Sequence, residues 1–75
     1  IRLDPQYAIA YWGRGVVYSD LGQHQRSIQD YDEAIRLDPL DAIAYHWRGF
    51  AYHSLGEQEL ADRDYLKANE LGYDP

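Results

Sequence analysis

The sequence predicts an all-α fold of antiparallel helix-turn-helix repeats stacked as an α-solenoid segment, and three observations predict it. The chain nearly repeats itself after 34 residues: with residues 35–75 laid on residues 1–41, 18 of 41 positions are identical. Within each copy, apolar and small residues recur every three or four positions, the spacing of one helix face. Each periodic stretch ends in a stop signal, Leu-Gly or Asp-Pro. A period of this size marks supersecondary units that bury their faces against neighbours rather than around one conventional core. The functional question becomes what the surface of the stack holds.

The first helix is expected over residues 7–21, with Ala8, Tyr11, Gly15 and Tyr18 on one face. Gly22 follows Leu21, the place for a residue that takes positive φ to end a helix. A second helix, over 24–37, carries the stripe Ser27, Ile28, Tyr31, Ala34, Ile35 until Asp38-Pro39 stops it. The third is expected over 41–54, with Asp41 as N-cap and Leu55-Gly56 as its stop. The fourth spans 58–71. Loops this short force consecutive helices to lie antiparallel. Ile1–Pro5 has the sequence of Ile35–Pro39, so residues 1–5 read as the tail of a preceding unit, Ile1–Leu3 as its helical remnant. Residues 6–39 and 40–75 then form two units, and the chain reads as a piece of a longer protein.

Composition narrows the function classes. Thirteen acidic residues against seven basic give a formal charge of −6, a field that repels phosphate backbones and anionic lipid surfaces. Neither nucleic acid nor membrane is an expected partner. The longest apolar run, Ala8–Trp12, is far too short to span a bilayer. No signal-peptide pattern is present, which leaves localisation open with the cytoplasm as the default expectation. The absence of cysteine rules out disulfide or thiolate-metal staples. Aromatic content is 15% with eight Tyr, but Tyr11/Tyr45, Tyr18/Tyr52 and Tyr31/Tyr65 occupy equivalent positions and read as packing residues.

Small residues sit beside the large Tyr positions: Gly15, Ser27 and Ala34, then Gly49, Ala61 and Ala68. That alternation lets paired helices approach closely while Tyr side chains fill the gaps. The pattern Tyr11, Gly15, Tyr18, Ser27, Tyr31, Ala34, Pro39 resembles the tetratricopeptide repeat over essentially the whole chain. The second copy supplies Tyr45, Gly49, Tyr52, Ala61, Tyr65 and Ala68, with Tyr73 in the proline's place and Pro75 two residues late. The resemblance implies a right-handed solenoid whose first helices line a concave groove for peptide ligands. In that family the positions of Ile28 and Ile35 face the next repeat; Asp62 and Asn69 stand there in the second copy. With the displaced proline, this places the second repeat at or near the C-terminal end of its array, unless it is ordinary repeat drift.

Two constellations emerge. Arg14 lies three residues after Tyr11 and four before Tyr18, hence on the packing face, and Asp30 is similarly inward between Ser27 and Ala34. Arg48 and Asp64 repeat the placement, so each Arg and Asp is expected to form an ion pair joining the two helices of a repeat. The other face of each first helix carries Ile9, Trp12, Val16 and Ser19 with Asp20 alongside, then Ile43, His46, Phe50 and His53 flanked by Trp47 and Ser54. The helix pair does not need these positions, and an apolar patch of this kind marks an interaction site. The resemblance makes them groove-lining. The bland alternative is that Trp12 and Trp47 fill space between helices.

Catalytic and metal readings find no support in the residue pattern. His46 and His53 share a face but lie seven residues apart, about 10 Å along a helix, where zinc helices use i, i+4. No Ser-His-Asp or paired-carboxylate arrangement and no glycine-rich phosphate loop stands out, so neither enzyme nor cofactor is expected. The leading reading is a protein–protein interaction scaffold holding a partner peptide that is apolar or aromatic, with basic flanks matching Asp20 and the net charge. A family mode that clamps a C-terminal carboxylate with Lys and Asn is not expected, because those positions would fall on Trp12, Val16 and Trp47, or on His46 and Phe50. Self-association by end-to-end stacking into a weak homo-oligomer is the main alternative. RNA binding of the pentatricopeptide kind ranks below both on charge and signature.

Overall fold

A computed structural model of the chain describes residues 5–73. It contains four helices in sequence: α1 (Pro5–Asp20), α2 (His24–Leu37), α3 (Ala42–Ser54) and α4 (Gln58–Glu70). There is no strand among the described residues. The helical remnant expected at Ile1–Leu3 lies outside them, as does Pro75.

The helix ends follow the local chemistry. After α1, Gly22 adopts φ 77°, its N–H donates to the Ser19 carbonyl at 2.9 Å, and the Gln23 N–H donates to the Tyr18 carbonyl at 2.8 Å. This paired closure satisfies two of the carbonyls a helix end leaves bare, and Gly56 repeats it at φ 80° after α3. Asp38 and Pro39 end α2, and Asp38 Oδ1 accepts from the Leu40 N–H at 3.2 Å. Asp41 then caps α3, its Oδ1 accepting from the Ile43 N–H at 3.1 Å. The fourth helix ends differently from α2. Gly72 turns the chain at φ 99°, which swings Tyr73 back toward α3.

α1 packs on α2, α3 on α4, and α2 on α3, while α1 and α3 touch along one short stretch. The interior is made of small side chains: Ala8, Ala34, Ala44, Ala51, Ala61, Ala68 and Ser27 are buried. Ala8, Ala34 and Ala44 form the cluster that joins the repeats, with Tyr11, Trp12, Ile35 and Leu37 packed against it. Tyr31 is the largest fully buried side chain. Its equivalent Tyr65 is half-buried, because α2 is covered by α1 and α3 whereas, among the described residues, α4 packs on α3 alone. Gly15 is what admits Tyr31: a Cβ there would lie 2.6 Å from the ring's Cε1. Ser27 fixes the same crossing, its Oγ donating to the Gly15 carbonyl at 2.8 Å.

Candidate functional site

The paired Arg and Asp side chains set the geometry of each hairpin. Arg14 grips Asp30 with two parallel bonds, Nε to Oδ2 at 2.8 Å and Nη2 to Oδ1 at 2.7 Å. Arg48 grips Asp64 in the same way, at 2.8 Å for both bonds. Fork-to-carboxylate geometry of this kind fixes orientation as well as attraction. Each guanidinium also lies between two rings of its own helix: Arg14 is 5.8 Å from those of Tyr11 and Tyr18, and Arg48 is 5.4 and 5.9 Å from those of Tyr45 and Tyr52.

The two pairs differ in surroundings. The carboxylates are buried in both, but the Arg14 side chain is 59% exposed and that of Arg48 only 20%. The expectation that Arg14 points inward therefore needs correction: it lies along the edge of α1, with its head group open. Arg48 is covered because α2 packs over it, and its Nη1 donates to Asp32 of α2 at 2.9 Å. Arg14's pKa is raised by its hydrogen bonds to Asp30 and by that charge. For Arg48, burial alone would lower the pKa, but hydrogen bonds and charge from Asp64 and then Asp32 outweigh it and the group is raised. Asp32 was not anticipated. Its signal is that the second copy has Leu66 there, while Asp32 lies on the helix that α3 of the following repeat packs against.

Helices α1 and α3 carry the stripe expected to face a partner. Ile9, Ile43 and Phe50 are exposed, at 52%, 37% and 40%. Val16 and Trp47 are half-buried, and the Trp47 ring meets Phe50 edge-on with centroids 6.0 Å apart. Asp20 is exposed at the end of α1. By helical spacing Ile9 and Val16 share one face of α1, and Ile43, Trp47 and Phe50 one face of α3, and they leave apolar surface in water.

Four other members of the stripe have structural employment. Trp12 is half-buried against the Ala8–Ala34–Ala44 cluster, and its indole N–H is buried without a hydrogen-bond partner. The space-filling alternative thus describes much of its ring. Ser19, expected on the open face, is buried at the α1–α2 corner, its Oγ 3.4 Å from His24 Nδ1. His46 lies parallel to Tyr73 at 4.2 Å and also contacts Trp47 and Tyr65, each at 5.5 Å. Burial lowers its pKa. His53 stays exposed but is tied to α4: its Nδ1 is 2.8 Å from Gln58 Oε1, and Gln58 Nε2 donates to Asp62 at 2.7 Å. The physical reason is common to all four. A helix of three or four turns in a two-helix unit has few positions that no neighbour reaches.

Among the described residues no group of three or more His, Cys, Asp or Glu could hold a metal ion, and no helix is long and apolar enough to cross a membrane.

Paired helices with Gly and Ala at each crossing and an aromatic filling each gap define a helical-hairpin repeat protein. Comparison with protein families matches residues 17–56 to a model described as TPR repeat and residues 42–71 to one described as tetratricopeptide repeat. The chain belongs to the tetratricopeptide repeat family. These repeats generally mediate protein–protein interaction, and the family is typically a non-enzymatic scaffold. A search of curated proteins found no match to the chain.

Proposed function

We propose that this chain is an interaction scaffold that holds an extended or helical partner segment against the apolar and aromatic stripe of α1 and α3. The observation that carries the reading is the exposure of Ile9, Ile43 and Phe50 beside Val16 and Trp47, on helices whose opposite faces already make the hairpin contacts. Complete burial of such side chains is worth roughly 1.5–3 kcal/mol each, and an occupant covering the part still exposed would gain about half of that at each position. The partner's contacting side chains are apolar or aromatic, and basic flanks complement Asp20 and the net charge of −6.

Peptides selected from a displayed library against the chain test this. Ile9→Ser with Phe50→Ala should weaken the selected ligands about tenfold or more, with melting behaviour unchanged, while Leu66→Ser on α4 serves as the control. Ligands indifferent to Ile9 and Phe50 would exclude the stripe as the site. Trp12 is a poor choice of probe because its ring supports the inter-repeat cluster. End-to-end self-association is the competing reading, and the residues on α4 weigh against it: Asp62, Leu66 and Asn69 stand where α2 carries Ile28, Asp32 and Ile35.

A further inference from the structure

The outer face of α4 differs from that of its counterpart α2 in a way the shared fold does not require. A recess of about 340 Å³ is lined by Arg63, Leu66, Lys67 and Glu70 of α4 together with Tyr45 and Arg48 of α3. The four α4 residues follow i, i+3, i+4, i+7, one stripe of a helix. On α2 the same positions hold Gln29, Asp32, Glu33 and Arg36. Gln29, Asp32 and Arg36 are exposed although both α1 and α3 pack on α2, so openness here goes with the position in the repeat. The chemistry is what changed. On α2, Arg36 bonds Glu33, which closes that surface on itself, and Asp32 bonds Arg48. On α4, Arg63 and Lys67 are exposed, and neither has a carboxylate or ring partner among the described residues. Every other described Arg is held: Arg14, Arg36 and Arg48 by carboxylates, and Arg26 over the Tyr18 ring at 5.7 Å. Leu66, beside the two open cations, is 60% exposed.

We propose that this stripe of α4 binds an acidic segment of a partner protein, with a Glu or Asp carboxylate set between Arg63 and Lys67 and an adjoining apolar side chain laid on Leu66. The site is separate from the stripe of Ile9 and Phe50 and does not depend on it. Charge selects the occupant. Side chains four residues apart on a helix have Cβ atoms about 6 Å apart, so one carboxylate can accept from both cations. Arg48 is not available as a third donor, because its Nε, Nη1 and Nη2 each already bond to a carboxylate. Arg48, Arg63 and Lys67, against the Asp64 and Glu70 that share the recess, leave one net positive charge. That matches a carboxylate. A phosphate dianion, or a run of phosphates, would be overmatched there and would meet the field of a chain whose net charge is −6. Leu66 supplies what the charges alone do not, since an exposed ion pair contributes little by itself.

A displayed library of random peptides is selected on the full chain and counter-selected on a chain whose α4 stripe carries the residues of α2, Arg63→Gln with Lys67→Glu and Glu70→Arg. Those substitutions reproduce a surface the repeat already tolerates, so circular dichroism should show unchanged helicity and melting. Counter-selection removes ligands of other faces, the α1–α3 stripe included. The enriched peptides should carry Glu or Asp next to an apolar residue and should shift the Leu66 methyl signals saturably in an NMR titration. Replacing that Glu or Asp by its amide should weaken binding about tenfold or more, and added salt should weaken it further. Arg63→Gln with Lys67→Gln, a second variant, should lose binding to the same extent. Leu66→Ser should weaken these peptides and spare ligands of the α1–α3 stripe, so the two surfaces are tested apart. A selection without acidic enrichment, an amide twin that binds equally, or binding that survives Arg63→Gln with Lys67→Gln would overturn the proposal. So would a phosphoserine twin that binds tenfold tighter than its carboxylate parent, since the stripe would then be a phosphate site.

Discussion

Substituting Gly15 with Ala pits two effects of known sign against each other. An exposed helix interior gains about 1 kcal/mol when Gly becomes Ala. At Gly15 the new Cβ would sit 2.6 Å from Tyr31 Cε1 and 2.9 Å from Cδ1, and Tyr31 is fully buried, so its ring has nowhere to swing. Overpacking of this kind costs typically about 1–3 kcal/mol, and a rigid neighbour puts it at the upper end. The net expectation is destabilisation by about 2 kcal/mol, or a fall in Tm of about 8–16 °C for a chain this size. Two other glycines calibrate the series. Gly13 has nothing within 4 Å of the same position, so Gly13→Ala should stabilise by the full helix gain of about 1 kcal/mol. At Gly49 the new Cβ would meet the half-buried Tyr65 ring at 3.0 Å, which can yield, and the Ala61 carbonyl at 3.2 Å, which cannot, so Gly49→Ala should fall between the two. Urea unfolding followed by circular dichroism at fixed protein concentration ranks the variants. A Gly15→Ala chain as stable as Gly13→Ala would refute the claim that the α1–α2 crossing is close enough to exclude a methyl group.

Three further outcomes are expected. Asp64→Ala leaves Arg48 largely buried with only Asp32, and should cost about 2–3 kcal/mol in urea unfolding, more than Asp30→Ala, whose abandoned Arg14 already faces water. His46 has its folded pKa depressed below the ordinary 6.5, so its contribution is present above that pH and is lost as pH falls through the folded value. Thermal melts between pH 7 and 5 should show that loss in the native chain and less of it in His46→Phe. Burial, reinforced by Asp20 and Asp30, pushes the Tyr31 phenol up to about 12, and this acid favours its neutral form when folded. Stability present below pH 10 should therefore fall as pH rises toward 12, with the last phenolate absorbance appearing together with loss of helix.

Much of the fold was legible because most helix ends, and the start of α3, have a local cause. Gly22, Gly56, Asp38-Pro39 and Asp41 act through bonds a few residues away, so the sequence carries their meaning without tertiary knowledge. The α1–α2 and α3–α4 pairings were readable for a similar reason, since Arg14 and Asp30 recur with the same separation as Arg48 and Asp64. The stripe was less legible, because exposure depends on what a neighbour covers. Trp12 and its counterpart His46 share a register yet meet different groups, the former an alanine cluster and the latter Tyr73. The clue lay in a double replacement: where His46 stands for Trp12, Tyr73 stands for Pro39, and the two substituted side chains stack. Arg14's openness had no local cause: Arg48, its counterpart in the second copy, is covered by α2, and the two sequences around them give no sign of that difference.

Arg48 stands 16 residues along the chain from each of its carboxylates, one in its own repeat and one in the repeat before. In a nearest-neighbour description of a repeat array, stability divides into an intrinsic term for each unit and a coupling term between units. Most residues contribute to one of these. Arg48 contributes to both, so Arg48→Met should shrink the stability of the second hairpin and its coupling to the first at once. Thermal melts of that variant should be broader, with the cluster of Ala8, Ala34 and Ala44 still coupling the hairpins. Since these bonded partners lie close in sequence, the contacts are short-range in chain order and either hairpin can form first. Arg48 therefore strengthens its own hairpin and adds to the coupling that the Ala8–Ala34–Ala44 cluster provides between the repeats.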